Sequence, residues 1–143
     1  TINQEWNANL AYAVGLIATD GNPSRDKRHI LFTTTDLQLA NVFKERLEIQ
    51  NKITVTPPSG FGKKDAYRIN FGNIKLYRWL QRIGIQSNKT YSIGKLLVPE
   101  KYFADFLRGH LDGDGSIFTY TDKYMVYKEK KILLRTTIYQ FHI

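Results

Sequence analysis

AVGLIATDG at residues 13–21 and LRGHLDGDG at residues 107–115 carry one pattern twice: Gly third, Ile or Leu fifth, Asp-Gly last. Gly15 and Gly109 are 94 residues apart, as are Asp20 and Asp114. Each copy closes a helix-length run and leads into strand-like sequence, so the repeat predicts two related halves. Ala11, Gly15 and Thr19 lie four apart on one stripe; Gly109 and Gly113 do the same in the second copy, flanked by the bulkier Asp105. Small residues at this spacing allow two helix backbones to approach closely.

The carboxylates sit at an unfavourable place. Asp20 and Asp114 each fall in the last helical turn before a Gly read as the cap, where the helix dipole is negative. Parallel pairing of the helices brings the two charges near each other, with Asp112 a third, and a cation offsets such clustering. Hard oxygen ligands with no Cys or His partner point to Mg²⁺ or a similar ion. An EF-hand beginning at Asp112 fails, because Ile117 stands at its Gly position and Lys123 at its closing Glu position. A glycosidase pair is disfavoured by the basic, polar sheet faces. Simple turn caps would explain one copy better than two in matched register. His110 is expected to pack or cap.

Outward from the repeat, the chain alternates helices and strands. Residues 8–20 read as a helix and 29–34 as a strand. Residues 36–49 form an amphipathic helix capped by Thr35 or Asp36, with Leu39, Ala40, Phe43 and Leu47 on one face. Residues 53–56 and 66–71 make a hairpin around PPSGFGKKD. Ile53, Val55, Tyr67, Ile69 and Phe71 should point to one side, and Thr54, Thr56, Lys64, Arg68 and Asn70 to the other. A helix at 74–83 ends at Gly84, a Pro99-initiated helix covers 100–114, and two strands follow near 116–121 and 132–141. This is an α+β layout, with antiparallel sheets covered by helices on one face and polar on the other.

Composition narrows the function. The 143 residues are 42% hydrophobic and 13% aromatic, enough for a folded core. There is no Cys, which removes disulfide scaffolds, thiolate metal sites and Cys nucleophiles. No apolar run reaches membrane-span length, and TINQEWNANLAY has no signal-peptide pattern, so a soluble, intracellular protein is expected. The first residue is not Met, and the chain is read as trimmed or excised from something longer. Lys and Arg number 21 against 13 Asp and Glu, a net +8. Residues 63–95 alone carry eight cations against Asp65. A basic domain of this size usually meets a polyanion, most often nucleic acid.

The two motifs, with the stretch GIQSNKTYSIGKLLVPEKYFADFLRGHLDGDGSI at 84–117 leading into the second, resemble the LAGLIDADG homing endonucleases in their two-motif, single-chain form. The first motif departs at Ala18 and Thr19 but keeps its last Asp. The resemblance implies two pseudo-symmetric lobes whose motif helices pack side by side, with Ala11, Gly15, Thr19, Gly109 and Gly113 at the interface. The sheets would form a saddle in the DNA major groove. Asp20 and Asp114 would hold Mg²⁺ or Mn²⁺ over the scissile phosphates of double-stranded DNA, and Lys89 would stabilise charge or position water.

DNA contacts are expected from Arg25, Lys27 and Arg28, from Lys63, Lys64, Arg68 and Asn70, and from Lys128, Lys130, Lys131 and Arg135. Residues 1–98 form the first lobe with its connecting segment, and 99–143 the start of a truncated second lobe lacking a second hairpin and covering helices. An uncovered ILLRTTIYQFHI end invites self-association or domain swapping. The function implied is a site-specific endonuclease; the alternative is a non-cleaving binding module, an RNA maturase or DNA-binding regulator, or an inactive remnant.

Overall fold

In the computed structural model, residues 2–61, 64–86, 96–114, 117–120, 129–134 and 137–142 are described, those after Asp114 as backbone elements. Helix α1, Ala8–Asp20, starts at Asn7, whose side chain accepts the Leu10 N–H. It is buried on nearly every side from Leu10 to Ile17, as an interior helix must be. Its end differs from the expectation. Gly21 is not a left-handed cap: its φ is −85° and its ψ 148°, extended backbone. Gly is needed there for space, since a Cβ would stand 2.7 Å from the Cα and carbonyl of Ile17.

Strand β1, Gly21–Pro23, therefore begins at once and pairs antiparallel with β2, His29–Thr34. Helix α2, Leu37–Leu47, is capped by Asp36, which accepts the N–H groups of Gln38 and Leu39. It stops two residues before the expected end because Glu48 turns left-handed, a C-cap no Gly announced. The four residues expected on its apolar face, Leu39, Ala40, Phe43 and Leu47, are the four it buries.

Strands β3, Ile53–Thr56, and β4, Ala66–Gly72, form the hairpin, and the sheet order is β1-β2-β4-β3, all antiparallel. Helix α3, Ile74–Ile83, is capped by Asn73 and stopped by a left-handed Gly84. Ile30, Phe32, Ile69 and Phe71 point from one sheet face into a core shared with α1, α2 and α3. Phe32 stacks on Phe43 at 4.2 Å, and Trp6 packs on Trp79 at 4.8 Å between ring centroids. Val55 pairs opposite Tyr67 and faces the same side, but on the edge strand it stays 52% exposed.

After a single 3₁₀ turn at Glu100–Tyr102, helix α4 runs Phe103–Asp114. The expected helix is thus a tight turn followed by an α-helix. Three strands follow rather than two: β5 (Ile117–Tyr120), β6 (Glu129–Leu134) and β7 (Thr137–His142) form an antiparallel meander in that order. A β6–β7 hairpin is therefore present where the sequence suggested none, because most of both strands falls within the stretch 132–141 read as one strand.

Candidate metal and nucleic-acid site

The site is built on the contact between α1 and α4. A Cβ on Gly15 would stand 2.1 Å from the Phe106 carbonyl oxygen, and one on Gly109 would stand 2.0 Å from that of Tyr12. Phe106 is 94 residues beyond Tyr12, so the two close approaches are related by the sequence repeat. The helices run parallel, and Gly113 lies beside the end of α1, where a Cβ would meet Thr19 Oγ1 at 2.1 Å and Asp20 Oδ2 at 3.3 Å. Gly15, Thr19, Gly109 and Gly113 lie at this contact, and Ala11 is fully buried in the core.

Asp20 consequently lies half-buried at the place where the C-terminal ends of both motif helices meet. Its neighbour in the pattern, Asp114, ends α4 one residue after Gly113, and its side chain lies outside the described residues' side chains. Among the described residues no cluster of three or more His or acidic side chains is assembled. The carboxylate placed at this end, that of Asp20, is a hard oxygen donor at the negative pole of its helix, chemistry that fits a divalent cation such as Mg²⁺ or Mn²⁺. His110 packs, as expected: it is fully buried, edge-on to Phe106.

The second motif also joins α1 through a group the sequence reading missed. The Tyr12 hydroxyl donates to Asp112 Oδ2 at 2.7 Å. Arg46 and Arg108 lie 5.0 and 5.6 Å from the centroid of the same ring. Burial, followed by the bond to Asp112, pushes the Tyr12 hydroxyl up to about 12. Asp112 looked like one more member of a carboxylate cluster. Only a hydroxyl brought 100 residues along the chain reveals it as a helix–helix tie.

The uncovered face of the first sheet is polar. Thr33, Arg68 and Thr54 share one register across three strands, and Asn22, Leu31 and Asn70 share the next. Arg68 and Asn70 are exposed as expected, whereas Lys64 is exposed but precedes β4 rather than lying in it. Arg25, Lys27 and Arg28 all project from the β1–β2 turn. That turn is rigid. Asp26 Oδ1 accepts the N–H groups of Arg28 and His29, each at 3.0 Å, and its other oxygen pairs with the His29 ring. These bonds hold the Asp26 carboxyl down at about 2. Tyr77 on α3 donates to the Ser24 carbonyl, and Asn73 N–H to that of Arg28, bracing the turn from below. The spacing Ser-x-Asp in a turn was a signal for this brace that the sequence reading left unused. Lys63, Lys89, Lys128 and Arg135 lie outside the described residues; Lys130 and Lys131 are on β6, their side chains undescribed.

No helix among the described residues is long and apolar enough to cross a membrane. Among curated proteins, a stretch of 108 residues, 76% of this chain, is 26% identical to part of a subunit of the A-type ATP synthase of Methanopyrus kandleri. The chain spans only 10% of that relative's length. The family profile described as a LAGLIDADG-like domain matches residues 7–84, from the N-cap of α1 to the C-cap of α3 and so more than half of the chain. With that match, the chain belongs to the LAGLIDADG family, whose domains bind nucleic acid in homing endonucleases and maturases.

Proposed function

We propose that the chain is a metal-dependent, site-specific DNA endonuclease, or the part of one that holds the catalytic ends of both motif helices. The observation that carries this reading is the parallel packing of α1 on α4, which sets Asp20 beside Gly113 and so next to the last residue of α4. Two carboxylates at the negative ends of converging helices are costly for a domain that only binds. In this reading residues 1–98 are the first lobe and 99–143 the start of the second.

Asp20 and Asp114 would hold the divalent cation, which when bound supplies Lewis-acid stabilisation of the phosphate and activates water for hydrolysis. The chain's own residues do the rest. The face bearing Arg68, Asn70, Thr33 and Thr54 lies in the groove, where Arg reads guanine and Asn reads adenine. Arg25, Lys27 and Arg28 fix the register through phosphates, on a turn that Asp26 keeps from adapting to the wrong site. Lys128, Lys130, Lys131 and Arg135 would serve the second lobe, Lys63 and Lys64 the hairpin loop, and Lys89 would stand near the reacting phosphate. A domain matching one tenth of a long, differently named chain supports residence as an inserted element in a larger protein.

The second reading is a binding module without cleavage, such as an RNA maturase. It is favoured by the extent of the family match, which stops at residue 84 and leaves the second lobe unsupported. Selection from randomised duplex DNA in Ca²⁺, followed by Mg²⁺ cleavage of the selected site, separates the two. We expect one enriched site and cleavage lost by more than about 100-fold in Asp20→Asn and Asp114→Asn with binding kept. Tighter binding to structured RNA and no Mg²⁺-dependent cleavage would establish the second reading.

A further inference from the structure

The two motif helices are related by repeat, and their closest contact obeys that symmetry: Gly15 against the Phe106 carbonyl, Gly109 against that of Tyr12. On either side of it the symmetry is broken. Shifting by 94 residues turns Tyr12 into Phe106 and Asp112 into Ala18, so the 2.7 Å hydroxyl–carboxylate bond has an apolar Phe and Ala as its counterpart. The same shift turns Gly113 into Thr19. Thr19 occupies the space that the missing Gly113 side chain leaves, its Oγ1 held by a 3.0 Å bond to the Leu16 carbonyl.

We propose that these positions are a key that makes α1 accept α4 and reject a second copy of itself. The inference rests on the packing alone and holds whether or not the chain cleaves DNA. In an α1–α1 pair arranged about the same axis, each Tyr12 hydroxyl would face Ala18 and lose its acceptor in a buried site. Each Thr19 would meet another Thr19 where a single Cβ at residue 113 already stands 2.1 Å from Thr19 Oγ1 and 3.1 Å from its Cβ. In an α4–α4 pair, Asp112 would face Phe106 and lose the hydroxyl donor it has in the mixed pair. Only the mixed pair gives the Tyr12 hydroxyl its acceptor and sets a Thr against a Gly. Arg46 and Arg108 on the Tyr12 ring stiffen the polar half of the key.

The test begins by removing the cis partner. A Leu side chain at residue 109 cannot fit beside the Tyr12 backbone, so Gly109→Leu undocks α4 and frees the α1 face. Sedimentation velocity should find Gly109→Leu monomeric, and Gly109→Leu/Tyr12→Phe/Thr19→Gly in concentration-dependent dimers through α1. A dimeric Gly109→Leu chain, or a triple variant that stays monomeric, overturns the proposal.

A second measurement needs no undocked protein. Gly113→Ala should lower Tm by about 5 °C or more in the wild-type background, and by less than half as much beside Thr19→Gly. Thr19→Gly is required rather than Thr19→Ala, because the Thr19 Cβ alone would lie 3.1 Å from the new Cβ. Equal falls in both backgrounds would show that Thr19 and Gly113 do not fit one another as a key.

Discussion

Asp26 is exposed, yet it orders the turn that carries three cations. Its carboxyl is held at about 2, below its usual 3.8, first by the His29 and Arg28 backbone N–H groups and the His29 ring. A carboxyl with a lowered folded value favours folding above its unfolded value, and this contribution disappears as pH falls through the folded one. The turn should therefore hold at neutral pH and loosen between about pH 4 and 2. Amide shifts of Arg28 and His29 followed through acid titration should move in that window, and should be flat there in Asp26→Asn. Tyr12 has the opposite sign. Its hydroxyl titrates at about 12 rather than 10, so the protonated form favours the folded state fully below about pH 10. Stability should fall as pH rises through 12, and alkaline unfolding should occur at the same pH in Tyr12→Phe only if another group governs it. Tyrosinate absorbance compared with loss of helical circular dichroism, in both proteins, decides the matter.

For the elements, the glycines of α1 and α4 have the sharpest consequences. Gly15→Ala or Gly109→Ala drives a methyl into a backbone carbonyl of the opposite helix, which no rotamer change relieves. Each should cost about 2–3 kcal/mol, measured by urea unfolding, whereas Gly60→Ala meets open space and is strained only by its left-handed backbone.

These helices were also the most legible part of the sequence, because the repeated small-residue stripe and Asp-Gly ending carry the family resemblance that implies paired helices. Helix α2 was read from Leu39, Ala40, Phe43 and Leu47, and overrun at its end because Glu48 adopts a backbone usually left to Gly. The Tyr12–Asp112 tie could not be read, since its partners are brought together only by tertiary packing. The β6–β7 hairpin was missed for a different reason. Residues 132–134 and 137–141 are both strand-forming, and the sequence between them has no Gly, Pro or Asn to mark a turn.

Across the whole molecule, charge and architecture agree on where nucleic acid belongs. The helices occupy one face of the first sheet and leave its other face to Arg68, Asn70 and the threonines, with the Arg25–Arg28 turn at its end. Neutralising Arg25, Lys27 and Arg28 together should flatten the slope of log K against log salt by about 2–3, since each phosphate contact contributes close to 0.9. An unchanged slope, measured by fluorescence anisotropy on duplex DNA, would place the duplex elsewhere. Arg68→Ala should instead alter which sequence is preferred while moving the slope by at most about 1.

The junction at Gly21 has a mechanical meaning of its own. Helix α1 ends at Asp20 and strand β1 begins at the next residue, with no loop between them. Gly21 is buried and wedged against Ile17, so the joint has no slack in which a tilt of the sheet could dissipate. Sheet and helix end thus move as one lever. Under the endonuclease proposed above, a duplex seated out of line on the strands would carry Asp20 out of line with it, and fidelity of cutting would need no separate checkpoint.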